Sequence, residues 1–213
     1  MKGLYLVTDQ TSCKHHDLET VVSESVKAGI SFVQLREKTA DTRTFLNKAL
    51  TLKAVLEPAG IPLIINDRVD IALASKAKGV HIGQSDMPYE ITRKLMGPDA
   101  IIGLSVETWD DVTAAQDMSV DYIGVSPVFY TPTKTDIKEP WELAGLKKIK
   151  AYSRHPLVAI GGINSSNIAS VIKAGADSIA MVSAICSAKN PFNATKHLCN
   201  NFNQLKTSQE KVS

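Results

Sequence analysis

Short apolar runs alternate with amphipathic stretches along the whole chain, and the alternation repeats about every 25 residues, the size of one strand-plus-helix unit. The runs Leu4 to Val7, Phe32 to Leu35, Leu63 to Ile65, Val80 to Ile82, Ile101 to Leu104, Tyr122 to Val125, Leu157 to Ile160 and Ser178 to Val182 predict strands. Several are apolar throughout, as strands buried on both faces of a parallel sheet are. Helical patterns fill the gaps, over Leu18 to Ala28, Thr42 to Leu56, Val69 to Ala77, Tyr89 to Met96, Thr108 to Met118, Trp141 to Tyr152, Ser165 to Ala174 and Asn193 to Leu205. Gly29, Gly60, Gly79 and Gly175 stand where helices must stop. Eight units in 213 residues predict one α/β domain, a closed (β/α)8 TIM barrel over residues 1–206, followed by a polar tail at 207–213. An open doubly wound sheet fits this spacing poorly.

In such a barrel the chemistry is built from whatever follows each strand. The stretch from Pro62 to Asp86 runs strand, helix, strand, and leaves Asp67 and Asp86 just past the ends of two parallel neighbours. Two carboxylates held together repel unless a proton or a cation lies between them, and such oxygen ligands suit Mg²⁺. The bland alternative makes Asp67 only the cap of the following helix and Asp86 only a loop residue. Gln34, Arg36 and Lys38 recur at period two, so extended backbone points all three to one side, where a fork and a point charge make an anion site; an exposed charged loop is the competing reading. Tyr130 to Lys134 is a patternless loop able to close over a ligand. Gly161 and Gly162 let backbone N–H groups approach an anion beside the last strand, the usual barrel phosphate position. His81 reads as a satisfied interior histidine, and Trp109 and Trp141 as packing. One diphosphate site and one phosphate site in a single mouth imply two small-molecule substrates.

Composition narrows the field. At 44% apolar and 22% charged the chain has an ordinary globular composition. A net charge of +2 with no Lys/Arg run gives no nucleic-acid signature, and no apolar stretch approaches the roughly 18 residues of a membrane helix. Cys13, Cys186 and Cys199 are odd in number and widely spaced, against a disulfide framework and for a cytoplasmic protein. Cys13 with His15 and His16 could form half of a zinc site, but no second ligand pair follows. Self-association stays open, as monomer or homo-oligomer.

The segments YLVTD, QLREK, IINDRVDIALA, GVHIGQSDMP, GLSVET, DYIGVSPVFYTPTK, AIGGI and AGADSIAMVSAI, in this order from residue 4 to about 187, resemble the thiamine-phosphate synthase (thiamine-phosphate pyrophosphorylase) family. The resemblance implies condensation of 4-amino-5-hydroxymethyl-2-methylpyrimidine diphosphate with a thiazole phosphate, giving thiamine phosphate and pyrophosphate. Carried over by motif, Gln34, Leu35, Arg36, Glu37 and Lys38 hold the pyrimidine diphosphate, Asn66 contacts it, and Asp67 and Asp86 ligate Mg²⁺. Ser105 and Lys134 complete that site. Thr131, Pro132, Thr133, Gly162, Val182 and Ser183 bind the thiazole phosphate. The catalytic group so implied is Arg36, Lys38, Ser105 and Lys134, acting on charge in a dissociative, Mg-assisted reaction that needs no side-chain nucleophile. Ser126 departs from the glycine usual in the family, and the segment after Lys134 is also unlike the common form. Two rivals share the barrel: a thiazole tautomerase, which has no need of the second acid or of an intact TPTK, and a non-catalytic thiamine-phosphate-binding regulator.

Overall fold

Each apolar run becomes a parallel strand, and the eight strands close on one another in sequence order, β1 (Gly3–Val7), β2 (Phe32–Leu35), β3 (Leu63–Asn66), β4 (Gly79–Ile82), β5 (Ile101–Val106), β6 (Tyr122–Val125), β7 (Leu157–Ala159) and β8 (Ser178–Met181). β1 pairs with β8 from Gly3↔Ser178 to Leu6↔Met181, so the barrel is complete. The computed structural model describes residues 2–131 and 139–210. Around the barrel run α1 (Leu18–Ala28), α2 (Thr42–Leu56), α3 (Val69–Ser75), α4 (Tyr89–Met96), α5 (Trp109–Ala115), α6 (Glu142–Tyr152), α7 (Ile168–Lys173), α8 (Ser183–Cys186) and α9 (Pro191–Glu210).

Local chemistry sets most helix ends. Asp17 and Asp41 cap α1 and α2 by accepting from the backbone N–H of Thr20 and Thr44 at 2.7 and 2.8 Å. Thr108 and Asp111 form a reciprocal capping box on α5, so this helix starts one residue later than its apolar pattern does. α7 also starts late, because Asn164 and Asn167 tie the preceding residues into a turn. α9 continues to Glu210, carrying the start of the polar tail as helix.

The core has two layers. Leu6, Val33, Leu35, Ile65, Val80 and Ile102 face outward and pack under the helices. Tyr5, Val7, Ile64, Tyr122, Val158 and Ala180 fill the barrel itself. A Cβ at Gly103 would collide with the Tyr122 ring, so the missing side chain is what admits that ring to the interior.

Candidate active site

At the C-terminal rim lies a polar cavity of about 290 Å³, lined by Gln34, Arg36, Lys38, Asn66, Asp67, Asp86 and Ser105, among others. As their period-two spacing requires, Gln34, Arg36 and Lys38 leave β2 on one side and line one space. Thr8 Oγ1, fully buried at the end of β1, accepts from the Arg36 backbone N–H at 3.0 Å and fixes where the cationic run begins.

Asp67 does not cap α3. Its φ is +62°, in the left-handed region, its N–H donates to the His81 carbonyl of β4 at 2.8 Å, and Arg68 takes the cap position without a side-chain cap bond. This backbone turn releases the carboxylate to the cavity, where Oδ2 lies 2.7 Å from Lys38 Nζ. Asp86 sits opposite, with Oδ2 accepting the Gly83 N–H at 2.7 Å and the Asp67 carboxylate close enough to perturb it. Burial first, and then the neighbouring Asp67 carboxylate, push the Asp86 carboxyl above the ordinary value; the Gly83 N–H and Lys38 oppose them. A raised proton affinity in an acid pair marks a place where positive charge is wanted. Among the described residues no three His, Cys, Asp or Glu side chains cluster as a closed metal cage. Two oxygens on a rim suit an ion that keeps water and substrate phosphates among its ligands, as Mg²⁺ does.

Beneath the acids a hydrogen-bonded chain crosses the barrel. Gln34 Nε2 donates to Tyr5 Oη at 3.0 Å, Tyr5 and Tyr122 share a bond at 3.0 Å, Tyr122 Oη meets His81 Nδ1 at 2.9 Å, and His81 Nε2 meets Ser105 Oγ at 2.8 Å. Burial pushes both phenols up, so they stay neutral. His81 is thus a satisfied interior histidine that also orients the Ser105 hydroxyl.

A second cavity of about 430 Å³ adjoins the first, and Val7, Arg36, Ser126, Ile160 and Ala180 line both. Its far wall is Thr131, Gly161, Gly162, Val182, Ser183 and Ala184. Gly162 has φ +64°, and a Cβ there would come within 2.6 Å of Tyr130 O and 2.8 Å of Phe129 Cβ. The glycine lets the strand 7 loop pass directly beside the strand 6 loop. α8 begins at Ser183, and its first N–H groups have no acceptor within the helix and lie at this wall.

Two of the expected contact residues turn their side chains away from the cavity. Leu35 is fully buried in the outer layer, because alternation turns it away from Gln34 and Arg36. Glu37 pairs with Lys48 at 2.8 Å and does not line the cavity. Pro132, Thr133 and Lys134 lie outside the described residues, as does most of the unusual segment after Lys134. Sequence reasoning passed over Gln84, whose Nε2 donates to the Ser105 carbonyl at 2.7 Å, and Glu107, both of which line the acid-bearing cavity. Position just past a strand end was the signal available for each. Ser126 stood out only as a departure, yet it forms part of the shared wall. Cys13 meets Cys186, not the two histidines: His16 Nε2 contacts the Lys189 carbonyl at 3.0 Å.

A family profile described as Thiamine monophosphate synthase matches residues 4–185. Thiamine-phosphate synthase of Leptospira biflexa is 53% identical over 206 residues, covering 95% of this chain and 98% of that one. The Albidiferax ferrireducens enzyme of the same name is 54% identical over 188 residues, covering 88% and 86%. Among solved structures, thiamine phosphate pyrophosphorylase from Pyrococcus furiosus, 34% identical, superposes with a TM-score of 0.86 and covers 95% of this chain and 96% of its own. A 3-hexulose-6-phosphate synthase, 17% identical with a TM-score of 0.65, shares the fold.

Proposed function

Since the chain belongs to the thiamine monophosphate synthase family, we propose that its two adjoining cavities hold the two substrates of a thiamine-phosphate synthase. The enzyme is a transferase: it joins 4-amino-5-hydroxymethyl-2-methylpyrimidine diphosphate to 4-methyl-5-(2-phosphooxyethyl)thiazole, forming thiamine phosphate and releasing pyrophosphate. The observation that carries this reading is the shared wall. One chamber presents cations and a carboxylate pair, the other a glycine pair and a helix start, and Arg36 faces both.

Arg36 and Lys38 donate to the diphosphate oxygens, and Ser105, aimed by His81, adds a hydroxyl. Lys134, which follows β6 in the sequence, supplies a further cation. Asp67 and Asp86 would hold Mg²⁺, which when bound neutralises charge on the diphosphate. As the bond to the pyrimidine methylene stretches, negative charge grows on the leaving group, and these fixed donors favour that state over the ground state. The thiazole phosphate is held by the Gly162 and Ser183 backbone, with its ring nitrogen facing the methylene across Ser126. Val182 and Thr131 shape the same wall, and Pro132 and Thr133, next in the sequence, are assigned to the same ligand.

Neither a tautomerase nor a binding protein has use for the Asp67–Asp86–Lys38 group. No helix among the described residues is long and apolar enough to cross a membrane, and three free thiols suit the reducing cytoplasm. The test is a mixture of both substrates with Mg²⁺. Pyrophosphate should appear in step with thiamine phosphate; isomerised thiazole without pyrophosphate would overturn the assignment.

A further inference from the structure

We propose that Cys13 and Cys186 form an oxidant-responsive, reversible disulfide site behind the glycine-lined cavity. Cys13 follows the short turn Gln10–Ser12 after β1, and Cys186 ends α8, far apart in sequence and adjacent in space. The two thiols perturb each other, Cys13 downward and Cys186 upward in proton affinity, and Cys13 Sγ donates to the Asp9 carbonyl at 3.4 Å. Two further bonds clamp the same elements together, from Ser187 Oγ to the Ser12 carbonyl at 3.0 Å and between His16 Nε2 and the Lys189 carbonyl at 3.0 Å. Forming the disulfide brings the two sulfurs to about 2.05 Å.

The two cysteines differ in the way an attacking and a resolving thiol must. Cys13 is partly exposed, while Cys186 is 1% exposed. The neighbouring Cys186 thiol holds the Cys13 thiol below its ordinary value, against burial and the fields of Asp9 and Asp17. Cys13 and burial push Cys186 up. A hydroperoxide supplies the oxidant. The Cys13 thiolate attacks one peroxide oxygen, the O–O bond breaks, and the departing hydroxide takes a proton to become water, leaving a sulfenic acid. Cys186 sulfur then attacks Cys13 sulfur, the S–O bond breaks, and hydroxide leaves with the Cys186 proton as a second water. Two thiols lose one electron each, and the peroxide gains both. A reducing thiol reverses the bond by exchange.

α8 carries the consequence. Ser183 and Ala184, at its start, line the cavity, and Cys186 ends the same turn. Drawing Cys186 toward the Gln10–Ser12 turn pulls those N–H groups off the ligand phosphate, an effect that rests on the reading of this cavity as the thiazole phosphate site.

The test exposes the reduced full-length protein to a small excess of hydrogen peroxide. Thiols titratable after denaturation should fall from three to one, the mass should drop by two hydrogens, and digestion should give a Cys13–Cys186 linked peptide that dithiothreitol removes. Three surviving thiols, a link through Cys199, or sulfinic acid accumulating on Cys13 would overturn the site. Cys186→Ala should instead stop at oxidised Cys13; should it fail to fold, Cys13→Ser, at the more exposed position, must keep Cys186 reduced. In kinetics, oxidation should raise KM for the thiazole phosphate about five-fold or more and leave KM for the pyrimidine diphosphate within about two-fold, with Cys13→Ser insensitive. A linked protein with both constants unchanged overturns the coupling to the cavity. Inactivity in either redox state counts against the functional reading, while the mass result decides the disulfide by itself.

Discussion

Asp67 gives one carboxylate oxygen to Lys38 at 2.7 Å and meets the Asp86 carboxyl from the next strand end, so a single acid is shared between a cation and a second acid. Such a group is balanced for an added positive charge.

Asp67→Asn removes half of the acid pair while keeping a residue that tolerates the left-handed backbone at φ +62°. Turnover at saturating Mg²⁺ should fall about 10²-fold or more, with the melting temperature nearly unchanged. Asp67→Ala should lose the same activity and also melt earlier, because alanine is strained there by roughly 1 kcal/mol. Steady-state rates across a Mg²⁺ titration, beside circular-dichroism melts of both variants, check this. Near-normal turnover in Asp67→Asn would return the acid to a purely structural role.

The Asp86 carboxyl binds its proton more tightly folded than unfolded. As pH rises from the unfolded value of about 3.9 through the raised folded one, the unfolded chain has already lost this proton and the folded chain has not, so stability falls across that window. The metal-free protein should therefore lose melting temperature over this range relative to Asp86→Asn. Added Mg²⁺ should restore it at neutral pH. Superimposable pH profiles for wild type and Asp86→Asn would contradict the account.

At Gly162 the neighbour is backbone, so relief cannot come from a side chain swinging away. Gly162→Ala should displace the Phe129–Tyr130 segment and raise KM for the thiazole phosphate about ten-fold, with the pyrimidine diphosphate constant within about three-fold. Gly29→Ala is the control. It also has positive φ, but a Cβ there meets nothing within 4 Å, so it should cost only about 1 kcal/mol of stability and no affinity. Equal loss of both substrates in Gly162→Ala would argue against two separate chambers.

Tyr122→Phe deletes the hydroxyl that joins Tyr5 to His81 at the centre of the barrel. Removing one member of a buried chain costs about 1–3 kcal/mol. The urea midpoint should drop accordingly with an unchanged slope. Turnover should fall too, because His81 then holds Ser105 less firmly. A full loss of stability with no change in rate would separate Ser105 from the chain beneath it.

The barrel was legible because each strand is short, apolar and closed by a polar or glycine stop, and the observed limits of β2 and β6 coincide with those runs. Four-residue α8 was not, since a single turn shows no period. Asp67 has the chemistry of a helix cap, and only its backbone angle, fixed by the bond to His81, shows that it turns to the rim. Gln34, Arg36 and Lys38 could be grouped from alternation, and the same alternation turns the Leu35 side chain away from them. Tyr5 and Tyr122 lie 117 positions apart; nothing local in either run pairs them. That Ser126 stands between two chambers follows from closure of the barrel, which no single segment encodes.

The wall of Val7, Arg36, Ser126, Ile160 and Ala180 has a consequence for inhibitor chemistry. Chambers that share five residues leave a span that a short covalent tether can bridge. A single molecule carrying a diphosphate mimic at one end and a phosphate mimic at the other would lose its translational freedom once instead of twice, so its affinity should exceed that of either fragment by orders of magnitude when the tether matches the gap across Ser126. Tether length then becomes a ruler, and the length that binds best reports the separation of the two anion sites.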